Sequence, residues 1–543
     1  MIIAGSAIFY PLPFIIKTGP SPLAGLRYNR PVALFSLDWW LAVLPILTIL
    51  VLMIGLRWGG SKAGLVGWAA ALLLAALRFG AGPGLLIYAQ LKALWFTLDI
   101  LYIIWAALLL YYVTEEAGLV QALVEILPAL TPRRSLQSLL VGWVFASFLQ
   151  GVSGFGVPVA VAAPILVNLG FSPLQAVLIA CLGHGWAVNF GSLATAFLTL
   201  LNVTGLPGEM LAPDSAFLLG AACLFCGALV AWIAGGWKGL RESALFILIV
   251  GSIMAASQYW LATHSLWIIS ATGAALAGLA AGLILLKFQN KQGPLPAQKL
   301  SRLLVLSSAY LLLVVFAFSA NLIPALKAWL GQVSLVLPAP SPEIGWKLSP
   351  DNGHSIYPFV HPGALLVYTS LASALLYWRI GAFRPGAIGR IRQQVVATAA
   401  STSLGILAMA GMSFSLSGSG MISLVAQGLA QALGAPLYPL AAPLIGALGA
   451  FITGSNSNSN VLFAVLQRQT AILLSLSPAL ILGAQTAGAS LGSVFAPAKL
   501  IVGCATVGLG RQEGQVLRPA LAYGLLPILF ISILVLLRVL QIL

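Results

Sequence analysis

Two short polar, glycine-rich stretches, QGVSGFG at Gln150 to Gly156 and TGSNSNSN at Thr453 to Asn460, interrupt segments otherwise apolar enough to lie inside a membrane. Lipid cannot hydrogen-bond exposed backbone, so irregular chain at that depth survives only inside protein or against a watery cavity. The two stretches share a lead-in, ASFLQG ending at Gly151 and GAFITG ending at Gly454. Paired in two halves of one chain, they point to a solute site.

The chain has 543 residues, 60% hydrophobic and 7% charged, which excludes a soluble enzyme around a single buried core. A helical crossing needs about 20 apolar residues, and about twelve such runs are legible. They lie near 38–56, 63–79, 93–113, 174–200, 215–235, 243–262, 265–286, 303–323, 361–379, 395–414, 479–508 and 519–541. Two further apolar stretches, near 138–170 and 436–475, carry the polar interruptions.

The formal charge of +15 is spread over short loops, without the clustered basic and aromatic patch of a nucleic-acid binder. It reads instead as topology-setting charge. Arg57 with Lys62, Arg133 with Arg134, Lys238 with Arg241, the Lys287 to Arg302 group, the Arg379 to Arg392 group and Arg511 with Arg518 fall on the cytoplasmic side by the positive-inside rule. The loops at 201–214 and 324–360 and both termini then face outward. Lys17, Arg27 and Arg30 conflict with this count, so residues 1–37 form a segment of unresolved topology, with no cleavable signal peptide legible in it. Glu115 and Glu116 end a helix on the cytoplasmic side, where they are expected to be solvated.

Four cysteines are too few for a disulfide framework. Cys223 and Cys226 form a C-x-x-C inside an apolar span, where packing is the expected role, as it is for Cys181 and Cys504. No metal-binding, Walker or dinucleotide motif is present in the sequence, so no cofactor, metal or ATP-driven step is expected.

The internal similarity continues past the loops. A Ser-Pro turn follows each, Ser172 with Pro173 and Ser477 with Pro478, and then a Gly-Ser pair, Gly191 with Ser192 and Gly492 with Ser493. An offset of roughly 300 residues relates the halves, the way transporter repeats show themselves in sequence. The first interrupted segment enters from the cytoplasm after Arg134; the second enters from outside, after a span that begins beside Arg392. The expected fold is therefore an all-α polytopic membrane protein with about twelve transmembrane helices and two re-entrant hairpins in inverted-topology repeats. Its expected parts are residues 1–37; a first half, 38–286, with the hairpin near 138–170; a connecting region, 287–394, with two spans and the external loop; and a second half, 395–543, with the hairpin near 436–475.

Residues 135–149 would make a half-helix of about 22 Å, enough to reach the middle of a hydrocarbon core about 30 Å thick. The chain would turn at Gly151, Gly154 and Gly156, and Pro158 suits the start of the returning helix. The free amides and positive dipole end of that helix attract an anion, with the Ser153 hydroxyl beside them. Ser455, Asn456 and Asn458 precede the matching helix in the second hairpin, where a carboxylate is again favoured.

These residues resemble the lactate permease family of bacterial inner-membrane transporters. The resemblance rests on FASFLQGVSGFGVPVAVAAPILVNLGF at 145–171, NFGSLAT at 189–195, FITGSNSNSNVLFAVLQ at 451–467 and GSVFAPAKLIVGCATVGLGRQEGQVLR at 492–518. It implies proton-linked uptake of 2-hydroxy monocarboxylates such as lactate or glycolate across the cytoplasmic membrane of a prokaryote. Against the family pattern, Gln150 stands where a glutamate is usual and Asn456 where an aspartate is usual. An amide can hydrogen-bond substrate but carries no proton. His184 and Lys499 stand near positions where the family tends to have an asparagine and a small polar residue, and intramembrane ionisable groups are costly and usually functional.

The expected substrate contacts are Gln150, Gly151, Ser153, Gly154, Thr453, Gly454, Ser455, Asn456 and Asn458, with Lys499 neutralising the carboxylate. His184 is the expected proton carrier, with Asp99 as a relay or as a structural partner of Lys92. The implied partners are the organic anion, a coupled H⁺ and membrane lipid, with no nucleic acid; the oligomeric state is open, a dimer included. A sodium-coupled carrier of other organic anions is the alternative reading. An intramembrane serine protease, from the G-x-S-G at Gly151 to Gly154 with His184 downstream, is a remote one.

Overall fold

The computed structural model describes residues 36–52, 56, 58, 60–119, 121–122, 131, 133–152, 156–289, 297–337, 355–509 and 513–542. Residues 1–35, with Lys17, Arg27 and Arg30, lie outside these, as do Ser153 and Gly154 of the first polar loop and Arg511. Apart from a two-stranded antiparallel ribbon, Leu335–Val336 paired with Ser355–Ile356, the described elements are helical.

Among the described residues seven helices are long and apolar enough to cross a membrane, or eight if the bent pair Pro173–Ala187 and Gly191–Thr204 counts as one crossing. This is fewer than the twelve expected, because several expected spans are short or broken: Leu37–Ile49, Ser61–Leu77 and Leu304–Leu313 are apolar but brief. One counted helix, Gly208–Thr263, is itself two. Its backbone leaves helical geometry at Gly235 and Gly236, and Gly220 lies against Ala255 while Gly251 lies against Leu224. A continuous helix would hold Gly220 and Ala255 about 52 Å apart; the two halves are folded back antiparallel.

Helix Pro83–Glu116 runs antiparallel to Ala387–Gly418. Hydrogen bonds fix the register: Tyr112 OH to Thr398 Oγ1 at 2.7 Å, Trp105 Nε1 to Ser403 Oγ at 3.1 Å and Gln90 Nε2 to Ser415 Oγ at 2.9 Å. At the far end Arg390 pairs with Glu116, so Glu116 is tied to a neighbouring helix rather than left to solvent.

Both Ser-Pro pairs are helix starts. Ser172 caps Pro173–Gly183 with its hydroxyl and forms a reciprocal box with Gln175, and Ser477 caps Pro478–Ser493. A capping oxygen satisfies an orphan N–H, and proline fits the first turn because its missing N–H would be unpaired anyway.

The halves also share a contact. Gly183 approaches so closely that a Cβ there would run into the Gly142 carbonyl. Roughly 300 residues on, a Cβ at Gly488 would run into the Pro443 carbonyl, and one at Gly446 into the carbonyl of Gln485. Small residues let membrane helices pack backbone to backbone. In each half this seats the entering arm of the hairpin on the helix that follows it.

The first entering arm, Arg134–Val152, is 19 residues long and buried apart from Arg134 and Gln137, longer than the half-helix expected over 135–149, and it includes a π-helical segment at Leu139–Phe145. The returning arm, Val157–Asn168, starts after Gly156 at φ 90°. In the second hairpin the entering helix Met421–Thr453 breaks at Gly434, the turn sits at Gly454 with φ 73°, and the returning arm is Asn456–Leu473. Helix Pro478–Ser493 is buried from Ala479 to Ser493 and forms the axis on which the second hairpin packs. All four cysteines are buried, as packing requires.

Candidate functional site

The chain is most irregular where it is most buried. Helix Pro173–Gly183 stops at His184, passes through a short 3-10 turn at Gly185–Ala187, and resumes as Gly191–Thr204 at an angle of 51°. Ser192, Leu193 and Ala194 occupy the left-handed region, at φ 47°, 58° and 62°. Each such non-glycine residue costs about 1–2 kcal/mol. The turn is held by Thr195 Oγ1 donating to the Ser192 carbonyl at 2.5 Å and by Phe197 N donating to the Asn189 carbonyl at 3.2 Å. Strain of this kind persists where surrounding structure over-determines it, and it gathers at ligand sites.

The tip of the second hairpin docks onto this break. Thr453 and Ser455 are spent locally: Thr453 Oγ1 donates to the Gly449 carbonyl at 2.8 Å, and Ser455 Oγ accepts from Asn458 N at 3.3 Å, capping the returning helix. Asn456 and Asn460 face outward from that helix into a shared knot. Asn189 Oδ1 accepts from Thr486 Oγ1 at 2.6 Å and from Asn456 Nδ2 at 3.5 Å. Asn460 Nδ2 donates to Thr486 Oγ1 at 2.9 Å and to the Ala196 carbonyl at 3.0 Å. Ser490 Oγ donates to the Gly185 carbonyl at 2.8 Å and accepts from Asn189 N at 3.0 Å. Three segments distant in sequence are thereby tied together.

The first hairpin reaches the same break from another side. A Cβ at Gly191 would come within 2.9 Å of Gln150 Nε2, and Gly151 packs against Thr272, where a Cβ would meet Thr272 N at 2.8 Å. The structure thus brings Gln150 and Asn456 to opposite ends of one short stretch, Asn189 to Gly191. The two polar segments approach each other through it.

Lys499 is 8% exposed and donates from Nζ to Ser493 Oγ at 3.1 Å; Ser493 Oγ in turn bonds the Ser490 carbonyl at 3.0 Å. Among the described residues no carboxylate lies within ion-pair distance of it. His184 is fully buried, and its Nδ1 lies 2.7 Å from the Ala180 carbonyl, so Nδ1 carries the proton and Nε2 offers a lone pair. Among the described residues that Nε2 has no hydrogen-bond partner, and neither have Gln150 Oε1, Asn189 Nδ2, Asn458 Oδ1 and Asn460 Oδ1. A buried polar atom left unpaired costs about 1–3 kcal/mol, so these atoms have hydrogen-bonding capacity to offer a polar solute.

Asp99 is elsewhere. Its carboxylate takes Asn202 Nδ2 at 2.5 Å and His361 Nε2 at 2.8 Å. Lys92, the partner considered from sequence, faces the rings of Tyr88 and Phe414.

Residues 38–330 and 353–542 match the family model described as L-lactate permease. The chain belongs to the L-lactate permease family. It is 26% identical to the L-lactate permease of Halalkalibacterium halodurans, over 93% of this chain and 97% of that one. It is 26% identical to the glycolate permease GlcA of Escherichia coli K12, over 94% of this chain and 97% of that one. With the L-lactate permease of Salmonella typhimurium it shares 28% identity over 90% of this chain and 93% of that one. Among solved structures, the YdaH transporter of Alcanivorax borkumensis matches with a TM-score of 0.46 at 15% identity, over 92% of this chain and 98% of that one. Membership in a permease family makes the chain a multi-pass carrier of a prokaryotic inner membrane and not an enzyme.

Asn189, Asn460, Thr486, Ser490 and Ser493 carry most of the knot; Asn189, Asn460 and Ser493 lie in the repeated motifs, but none of the five was expected as a site residue. The available signal was the run of polar residues Gln485, Thr486, Ser490 and Ser493 inside an otherwise apolar span, since polar side chains there face the protein interior.

Proposed function

We propose that the chain is a secondary active transporter that carries small 2-hydroxy monocarboxylates, lactate and glycolate among them, together with protons by alternating access. Lys499 carries this reading. A buried ammonium is costly unless an anion compensates it, and a substrate carboxylate would supply that anion beside Ser493. The names of the permease relatives support the substrate class.

In this reading Lys499 neutralises the carboxylate. Gln150, Gly151, Ser153, Gly154, Thr453, Gly454, Ser455, Asn456 and Asn458 form the walls contributed by two re-entrant tips, Thr453 and Ser455 through backbone because their side chains cap the turn. The Nε2 lone pair of His184 receives the proton or the substrate hydroxyl. Coupling to sodium is the second reading, favoured by the buried oxygens Gln150 Oε1, Asn458 Oδ1 and Asn460 Oδ1, which have no partner among the described residues and suit a hard cation.

The test is uptake of radiolabelled lactate by the purified protein in liposomes, with pH and sodium gradients imposed separately. The pH gradient is expected to drive accumulation and Lys499→Gln to abolish it. Undiminished uptake by that variant removes Lys499 from the site, and accumulation that follows sodium alone selects the second reading.

A further inference from the structure

Asp99 is 4% exposed on helix Pro83–Glu116, which packs against Gly191–Thr204, Pro362–Arg379 and Ala387–Gly418. Its two oxygens have separate partners: Oδ1 faces His361 Nε2 at 2.8 Å, and Oδ2 takes Asn202 Nδ2 at 2.5 Å. The other nitrogen of His361 is committed, because Nδ1 accepts from Gly363 N at 3.1 Å. That acceptor role puts the imidazole proton on Nε2, aimed at Asp99. Tyr102 stacks on the imidazole with ring centroids 5.0 Å apart and fixes its plane.

Asn202 gives this pair its reach. It lies on the second half of the broken span, downstream of the break that carries Asn189, so the Asp99–Asn202 bond ties the span of the proposed substrate site to helix Pro83–Glu116. While Asp99 is ionised, both of its bonds are charge-assisted, roughly twice the strength of neutral ones. A proton on Asp99 removes that assistance. Because His361 can only donate from Nε2, the new proton faces Asn202, whose amide must turn over to accept it.

From this geometry we infer that Asp99 and His361 form a proton-operated latch: the ionised carboxylate holds the broken span through Asn202, and protonation loosens it so the span can move with its substrate. The inference rests on the proposed proton-coupled carrier and adds, apart from His184, a second place where a proton acts. Among the described residues, the other titratable groups near Asp99 stand apart from its contacts with His361 and Asn202. Tyr102 and Tyr368 are phenols on the His361 side, and Lys92 lies two turns away over aromatic rings. Helix Gly191–Thr204 has no titratable side chain; Arg468 bonds its terminal Thr204 carbonyl. On Ala387–Gly418, Arg390 and Arg392 stand at the opposite end, Arg390 held by Glu116.

The test reads two activities of the full chain in liposomes: accumulation of radiolabelled lactate driven by a pH gradient, and one-for-one lactate exchange without a gradient. Asp99→Asn keeps the shape but cannot ionise; it is expected to lose gradient-driven accumulation while still exchanging, with the pH dependence of exchange flattened. Asn202→Ala, which cuts the latch without touching the acid, is expected to flatten that pH dependence as well, and it carries the test if Asp99→Asn does not fold. Full accumulation by Asp99→Asn, or an unchanged pH profile of exchange in Asn202→Ala, overturns the latch. Wild-type protein that exchanges no lactate overturns instead the carrier reading on which the latch rests, and the latch falls with it.

Discussion

Thr486 Oγ1 donates to Asn189 Oδ1 across 2.6 Å, joining two residues 297 positions apart in the chain. The bond links the broken span of the first half to the buried axis helix of the second. Asn460 donates into the same hydroxyl, so one threonine serves both as donor and as acceptor at the centre of the site.

Replacing Thr486 by Val keeps the volume and deletes both roles. Asn189 Oδ1 loses its short bond and Asn460 one of its two, at about 1–3 kcal/mol for a buried group left unpaired. Thermal unfolding in detergent is expected to shift down and apparent substrate affinity to weaken, with Thr486→Ser close to wild type. Equal stability of the Val and Ser variants would show that the knot does not hold the halves.

Gly488 and Gly183 make equivalent backbone contacts in the two halves. Gly488→Val forces the Pro443 carbonyl away, and overpacking of this kind costs about 1–3 kcal/mol or more. The yield of monodisperse protein is expected to collapse, and Gly183→Val to behave alike. Tolerance of both changes would mean the helices are spaced more widely than the contacts indicate.

Asn456→Asp restores the acid usual in the resemblance. The amide now donates to Asn189 Oδ1; a carboxylate at that place would face another oxygen and can keep the bond only when protonated. Uptake by this variant is expected to survive at low pH and to fall as pH rises. A flat pH profile relative to wild type would rule out the Asn189 contact during transport.

Arg468 bonds the Thr204 carbonyl at 2.7 Å, at the C-terminal end of the broken span. A cation there complements the helix dipole by about 0.3–1 kcal/mol. Arg468→Met, which keeps the stem, is expected to lower the unfolding temperature modestly, and Arg468→Lys to recover part of the loss. No change in either variant would show that the cap is dispensable.

Hydrophobicity and loop charge made the all-helical membrane fold legible, because the bilayer demands apolar runs and paired backbone irrespective of which helices touch. The helix starts at Ser172 and Ser477 were equally local, since a capping side chain acts within one turn of its own residue. The polar loops marked Gln150 and Asn456 for the same reason: irregular chain at membrane depth must be sheltered. Asn189, Thr486, His361 and Asn202 were not legible. Their partners lie far away in the chain, and only the packing of glycine-lined helices brings a hydroxyl to one amide and an imidazole to one carboxylate. Sequence by itself determined that this chain crosses a membrane with two interrupted segments. The tertiary structure decided which polar atoms those interruptions meet, because hydrogen bonds depend on positions within a few tenths of an ångström that no local pattern specifies.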